Sequence, residues 1–591
     1  MKVWEEKDNF QILSPHLLVN TPFIEFNDQA RLQMAAAQCR QAVPLLYPEI
    51  PMVQTGFESS DIFSPDIYKV KEDGEVVFKS DKAVVIKYDS GSYDFVRLFY
   101  DYTTLVNEGD RVSKDDIISY KTGYFVDGSI AQGRNVLVAI LSHPDTYEDA
   151  IVLSKEIIDN HIFDSYNYHV LEKHITVDEI LLPIDNNSYN KLLPEVGDII
   201  KKGNPILRIK KYSGSPSKIL AESNDIITHS DAEILQVDIV PYKYNDMVRE
   251  FAVKMKEYQY NTRNFDKYIV SKNLPEDIVY KLRTIHYLFD FNKPITDNKK
   301  NIDIFVRIYY RTVETPQSGD KFSNRYANKG VVSKILGPEY MPVLPDGRRA
   351  QVIINPMSII SRMNIGQLYE LATSNCIYEL RRKIELSDNL EQIKDIILKF
   401  YDISDRTKKK WILKQVSSYL DTVNDLEELK KNKDKFVFIA PPFESLKKED
   451  IFKLMDFIGV EDKYDVTYRG KQIKCNIGYM YFYRLMHIAS HKISGRSIGK
   501  FNSKTYQPVG GRRKGGGQRF GEFESWSLVS YNALENLKEI VGLKSDDMLA
   551  KLSYIYKTIY KVNTNMKDDN VETLKLLQVY LSILGVTLKL D

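Results

Sequence analysis

Residues 318–334 read Ser-Gly-Asp-Lys-Phe-Ser-Asn-Arg-Tyr-Ala-Asn-Lys-Gly-Val-Val-Ser-Lys. After Asp320 the stretch holds Lys321, Arg325, Lys329 and Lys334 and no acid, although the chain as a whole balances 82 Lys+Arg against 81 Asp+Glu. Lysine supplies a point charge to a phosphate, and arginine grips one through two parallel hydrogen bonds. On composition alone, chance clustering of four cations on a surface loop is the leading reading, with a phosphate ligand as the alternative. Strand-like runs at 304–310 and 352–354 and a helix expected over 364–378 set the loop within a mixed α/β region.

Working outward, a chain of 591 residues implies about three or four domains. With 43% hydrophobic and 28% charged residues it can bury sizeable cores. A net charge of +1 means that any nucleic-acid role rests on local basic patches. A second patch runs over 494–520, where Arg496, Lys500, Lys504, Arg512, Arg513, Lys514 and Arg519 occur without an acid among closely spaced glycines. Such a segment can bring backbone amides and several cations to a phosphate chain at once, with a flexible solvated linker as the competing reading. Glu148 and Asp149 follow a buried-strand candidate at 135–141, and adjacent loop acids of this sort usually face solvent. A helix is expected over 28–43, ended by Pro44. Ile393, Ile396, Ile397 and Phe400 recur at helical spacing, the mark of a core-facing stripe. Residues 212–218 read as a loop or domain insertion.

Several classes are disfavoured. There is no phosphate-binding Gly-x-x-x-x-Gly-Lys-[Ser/Thr] loop, no Gly-x-Ser-x-Gly elbow and no Asp-x-Asp pair to hold two catalytic metal ions. Cys39, Cys376 and Cys475 are too dispersed for a zinc cage or a disulfide framework. His487 and His491 are four apart but lack a nearby acid to complete a metal site. No apolar run approaches the roughly 18 residues of a membrane span, and residues 1–10 carry charges where a signal peptide has an apolar core. A soluble, cytoplasmic protein is expected.

Taken together, ordered blocks of the chain resemble the carboxy-terminal half of the β (second-largest) subunit of multisubunit DNA-directed RNA polymerases. The blocks are Asp28-Gln29-Ala30-Arg31, Arg40-Gln41-Ala42-Val43-Pro44, Tyr147-Glu148-Asp149-Ala150-Ile151-Val152-Leu153-Ser154, the 319–333 loop, Asn355-Pro356 and Ser361-Arg362-Met363-Asn364-Ile365-Gly366-Gln367. Gly478-Tyr479-Met480-Tyr481, Gly517-Gln518-Arg519-Phe520-Gly521-Glu522 and Lys544-Ser545-Asp546-Asp547 complete the series. One departure is that the family loop usually reads Gly-Arg-His-Gly-Asn-Lys-Gly, whereas Asn324, Tyr326 and Ala327 here replace two glycines and the histidine.

The resemblance implies a mixed α/β multidomain fold: a double-psi β-barrel interrupted by a flap-like insertion, with a helical C-terminal clamp or anchor region. Residues 1–155 and 301–375 would form the barrel and hybrid-binding region, 156–300 the flap, 376–475 a helical connector and 476–591 the part that meets a β′-like chain. It implies a DNA-dependent RNA polymerase subunit, inactive alone, with a non-catalytic nucleic-acid-binding scaffold as the alternative. Arg31 and Arg362 would grip the incoming triphosphate, Asp149 and Glu148 would lie near a second, nucleotide-borne Mg2+, and Lys321 and Lys329 near the RNA 3′ end. Arg40, Gln41, Arg325, His487, Arg496, Arg512, Arg513, Lys514 and Arg519 would contact nucleic acid. The principal Mg2+ site would lie on the partner β′-like chain, with no zinc here. Other partners would be an N-terminal β-like chain, an initiation factor, DNA, RNA and nucleoside triphosphates. A split β subunit of a large bacteriophage, working in the host cytoplasm, would fit best.

Overall fold

The computed structural model describes residues 21–588 apart from 59–65, 127, 177–178, 185–192, 212–221, 224, 229, 242–263, 266, 287–301, 406, 408–409, 424, 498, 504–506 and 562–571. The expected loop at 212–218 and Lys504 therefore lie outside the described residues. The chain divides between Ala489 and Ser490 into two compact units.

In the first unit, seven strands form the sheet that positions the site: β1 (Arg134–Ile140), β2 (Ala150–Ser154), β3 (Lys321–Asn324), β4 (Lys329–Leu336), β5 (Val352–Ile354), β6 (Tyr464–Tyr468) and β7 (Lys471–Arg484). Their order is β1-β5-β2-β4-β3-β7-β6, and β1 also pairs with β7, so the sheet closes on itself. β1 runs parallel to β5 and β2 parallel to β4, while the remaining pairings around the ring are antiparallel. Alternate side chains build two cores. Val136, Val138 and Ile140 join Phe322, Val332 and Met480 on one face, and Leu137, Ala139 and Leu141 join Val152, Ile353 and Ile477 on the other. Covering both faces explains why these strands read as continuous apolar runs.

Three helices frame one end of this ring: α1 (Gln29–Cys39), α2 (Pro356–Arg362) and α3 (Gly366–Leu386). Beyond α3, the helices Leu390–Ser404, Trp411–Thr422 and Lys448–Ile458 share a core in which Ile393, Ile397 and Phe400 are buried, as their spacing predicts. The chain then returns to the ring through β7. A boundary expected at 475/476 thus falls inside a strand, because the ring is completed only after the helical excursion.

The insertion between β2 and β3 is a separate antiparallel sheet whose order is Ser165–Thr176, Ile302–Glu314, Ala232–Pro241 and Ile199–Ile200. Ile302–Glu314 pairs along the length of Ser165–Thr176, so residues 302–314 belong to the insertion and not to the ring. Residues 66–126 form further small sheets.

The second unit holds a glycine-rich loop and then the helices Glu522–Ser530, Leu534–Val541, Met548–Tyr560 and Glu572–Ile583. Phe523, Trp526, Tyr531, Ile559 and Leu584 are exposed on it. Among the described residues no helix is long and apolar enough to cross a membrane.

Candidate functional site

Two residues that the resemblance places at the nucleotide, Asp149 and Arg362, meet at one end of the ring. Asp149 directly precedes β2, and the Arg362 guanidinium at the C-terminal end of α2 is hydrogen-bonded and ion-paired to its Oδ1. Local chemistry brings them there. Asn355 caps α2 by accepting from the Met357 N–H (3.0 Å), and Pro356 supplies the preset first helical position. The same Asn355 donates its amide to the Thr146 carbonyl (2.9 Å), fastening the turn before Asp149 to the helix that ends in Arg362. Met363 then takes a left-handed conformation (φ 52°), which stops α2 at Arg362. Glu148 is exposed and also left-handed (φ 53°), which turns it away from the strand direction of β2.

β4 delivers Lys329 to the same end. The Asp149 carbonyl accepts from the Val331 N–H (2.8 Å), and at Gly330 a Cβ would lie 2.5 Å from the Ile151 side chain, so only glycine lets β4 approach here. Lys329 Nζ reaches the Gln41 side-chain oxygen at 3.5 Å, and His487 Nε2 meets that same oxygen at 3.1 Å. Gln41 is held in place by its carbonyl, which accepts from the Met486 N–H (2.9 Å). Lys321 opens β3 opposite Val331, and its N–H donates to the His487 carbonyl (3.2 Å). Gln41, Lys321, Lys329 and His487, drawn from three separate stretches of chain, are therefore neighbours.

The turn between β3 and β4 keeps a glycine-like backbone without its glycines. The Asn324 side-chain oxygen accepts from the N–H groups of Tyr326 (3.0 Å) and Asn328 (3.1 Å), and Ala327 takes the left-handed conformation (φ 61°). Asn364 donates to the Tyr326 carbonyl (2.8 Å), and Asn324 to Gln367 (2.9 Å), binding the turn to the start of α3.

Arg325, expected to contact nucleic acid, does something else. It is buried, pairs with Glu370 on α3, donates to the Val53 carbonyl (2.7 Å) and lies over the Tyr481 ring. A cation with its donors turned inward has no face left for a phosphate. A second buried pair is absent from the sequence expectations. Arg484 Nη2 meets Asp320 Oδ2 at 2.9 Å with both side chains fully buried, and Asp320 Oδ1 accepts from the Ala489 N–H (2.8 Å). The clue was available: Arg484 is a lone charge closing the apolar strand Tyr479-Met480-Tyr481-Phe482-Tyr483. Asn355 had its own clue, since Asn-Pro is a cap followed by a first-turn proline.

Arg31 lies in the first turn of α1, where its N–H is capped by Asp28 (3.2 Å) and its guanidinium touches the Met34 sulfur (3.6 Å). No hydrogen bond or ion pair among the described residues joins it to Arg362. The link is structural: Asn27, just before α1, accepts from the Gly366 N–H at 3.1 Å, close beyond Arg362. Arg40 is exposed at the C-terminal end of α1. Burial pushes the neighbouring Cys39 thiol up to about 12, so it stays protonated; Cys376 and Cys475 are likewise buried, and none of the three is in a disulfide.

In the second unit, Arg512, Arg513 and Lys514 form one exposed 3-10 turn, and Arg519 is exposed after it. Arg496, half-buried, is engaged within its own loop. Its guanidinium donates to the carbonyls of Gly515 (2.7 Å) and Lys500 (2.9 Å), bracing the loop that presents the turn.

Among the described residues no three His, Cys, Asp or Glu side chains converge to hold a metal ion. Asp149, half exposed, and Glu148 beside it are suited to supply one or two oxygen ligands to an ion carried in by a phosphate ligand.

Comparison with known proteins gives the same direction. Residues 20–514 match the family described as RNA polymerase Rpb2, domain 6, and residues 516–591 match RNA polymerase Rpb2, domain 7. A relative named DNA-directed RNA polymerase subunit beta from Mycoplasmopsis pulmonis is 29% identical over 601 residues, covering 96% of this chain and 42% of the relative. Proteins of the same name from Fervidobacterium nodosum and Ehrlichia chaffeensis are 29% and 27% identical, covering 96% and 95% of this chain and 46% and 49% of their own length. The chain thus spans less than half the length of these relatives. It belongs to the RNA polymerase Rpb2 family, through domains 6 and 7.

Proposed function

We propose that this chain is the part of a DNA-directed RNA polymerase that handles the incoming nucleoside triphosphate and the RNA 3′ end, in a complex whose β′-like partner carries the principal Mg2+. The observation that carries this reading is the Asp149–Arg362 pair at the end of the ring that also bears Lys329. Without nucleotide, each group neutralises the other. A metal-bound triphosphate offers both a replacement: phosphate oxygens for Arg362, aided by Arg31, and the cationic side of the ligand for Asp149 and Glu148. A bound Mg2+ would supply neutralisation of phosphate charge; in the reaction the RNA 3′ oxygen bonds in line to the α-phosphate, the α–β phosphoanhydride bond breaks to release pyrophosphate, and the 3′ hydroxyl proton passes to solvent. Lys321, Lys329 and His487 lie near that hydroxyl or the initiating nucleotide, and Arg40 and Gln41 line the same cavity. Arg512, Arg513, Lys514 and Arg519 face the phosphates of DNA or hybrid.

In this reading the closed sheet is a double-psi barrel, the β2–β3 insertion is a flap over the exit path, and the second unit meets the β′-like chain. An N-terminal β-like portion, an initiation factor, template DNA and RNA complete the assembly in the host cytoplasm. A bacteriophage source is supported by the resemblance and by a composition rich in Lys, Asn, Ile and Tyr, with 39 Tyr.

The test is to tag the chain, purify it with its natural partners and measure template-dependent ribonucleotide incorporation. Activity in the complex, none from the isolated chain, and a raised nucleotide requirement in Arg362→Ala are expected. A complex that binds nucleic acid in a salt-dependent way, contains a β′-like chain and never incorporates would favour a scaffold.

A further inference from the structure

The turn that leads to Asp149 rests on a buried imidazole that none of the roles above uses. The His143 side chain has no exposed surface. Its Nδ1 accepts from the Asp145 N–H (3.0 Å), and its carbonyl accepts from both the N–H and the hydroxyl of Thr146 (each 3.0 Å). These bonds define the single 3-10 turn Pro144–Thr146. Thr146 is the residue whose carbonyl holds Asn355, the cap of α2. One end of the turn thus leads to Asp149 and its side bears on the helix of Arg362.

The other ring nitrogen faces a cation. Nε2 lies 3.2 Å from Arg469 Nη2. Arg469 and Gly470 form the two-residue connection between β6 and β7, both with positive φ (50° and 72°), the geometry of a tight hairpin turn that sets where the guanidinium can go. Arg469 also lies over the Tyr468 ring, itself 6.1 Å from the imidazole. The remaining charges around His143 are Asp145, whose Oδ2 is 3.7 Å from Nδ1, and Lys334 on β4, which pairs with Asp145 at 3.6 Å. A neutral imidazole has one lone pair with which to accept from one of its two donors; a protonated ring accepts from neither and adds a charge against Arg469. Burial first, and Arg469 second, hold the imidazole below its ordinary value.

We infer that His143 is a positioning residue whose neutral ring braces the Pro144–Thr146 turn, keeping Asp149 opposite Arg362, and whose protonation loosens both together. The bracing stands above the ordinary imidazole value and is lost as pH falls through the lowered one. The effect on nucleotide use rests on the polymerase reading; the effect on the turn does not.

The experiment has two readouts on the full chain. Amide exchange of the 144–150 segment, corrected for the intrinsic pH dependence, is followed from about pH 8 to about pH 5, and the same variants are assayed for nucleotide KM in the assembled complex. His143→Asn keeps an acceptor for the Asp145 N–H but cannot titrate, so its protection is flat with pH. Arg469→Asn suits the positive φ and removes the charge, so protection is lost at a higher pH than in wild type. KM rises along the same curves, while kcat at saturating nucleotide changes little. Flat wild-type protection, or an unshifted midpoint in Arg469→Asn, overturns the inference. If no complex incorporates nucleotide, the polymerase reading falls while the exchange data still decide the role of His143.

Discussion

Arg325 and Arg362 each meet one carboxylate, yet their pairs are solvated differently. The Arg325 and Glu370 side chains are 1% and 2% exposed, whereas those of Arg362 and Asp149 are 19% and 50% exposed. A charge sealed from water has no substitute partner, so the Arg325–Glu370 pair is committed to the fold. A charge at the surface can trade its partner for water or a ligand at little cost, so the Arg362–Asp149 pair is exchangeable. Arg484–Asp320, with no exposure at all, belongs with the first kind. One ion-pair chemistry thus does two jobs, and burial sorts them.

The sharpest way to break this comparison is to remove one partner of a buried pair. Glu370→Gln or Arg484→Leu should destabilise the chain by about 3–5 kcal/mol, read from denaturant unfolding, because each strands a buried charge. Replacing both partners, as in Arg325→Leu with Glu370→Leu, should recover much of that loss. A lone substitution within about 1 kcal/mol of wild type would show that water reaches these pairs.

The exposed pair should behave in the opposite way. Arg362→Ala should change stability by less than about 1 kcal/mol. It should raise the nucleotide concentration needed for incorporation by roughly tenfold or more, the loss of a charge-assisted contact worth about 1.5–3 kcal/mol. Wild-type incorporation by this variant at limiting nucleotide would remove Arg362 from the role proposed for it.

The smallest effect concerns the turn between the two kinds of pair. Ala327→Gly should stabilise by about 0.5 kcal/mol, since relief of roughly 1–2 kcal/mol of left-handed strain is partly offset by the flexibility of glycine in the unfolded chain. An unfolding midpoint that drops would mean that the alanine methyl packs favourably enough to outweigh its strain.

How much of this was legible beforehand depends on the range of the interaction. The α1 helix, the β1 strand and the Ile393-Ile397-Phe400 stripe were readable because spacing and capping are local. The Asn324 network was not. The sequence shows lost glycines, and only the assembled turn shows an asparagine oxygen taking two backbone donors while Ala327 keeps the glycine conformation. Strand membership failed likewise at 302–314 and across 475/476, because pairing with distant strands decides which sheet a run of apolar residues joins.

The sequence by itself determined which residue types are available and in what order: two cation-rich segments, an acid pair after a buried strand, and no aspartate cluster. Tertiary structure alone decided which of those cations face solvent. It turned Arg325 inward, left Arg362 beside Asp149, and brought Lys329 and His487 to the Gln41 amide oxygen. The reason is that charge is a property of the residue, whereas desolvation belongs to the place where folding puts it, and it is desolvation that separates a charge holding the protein together from one open to a ligand.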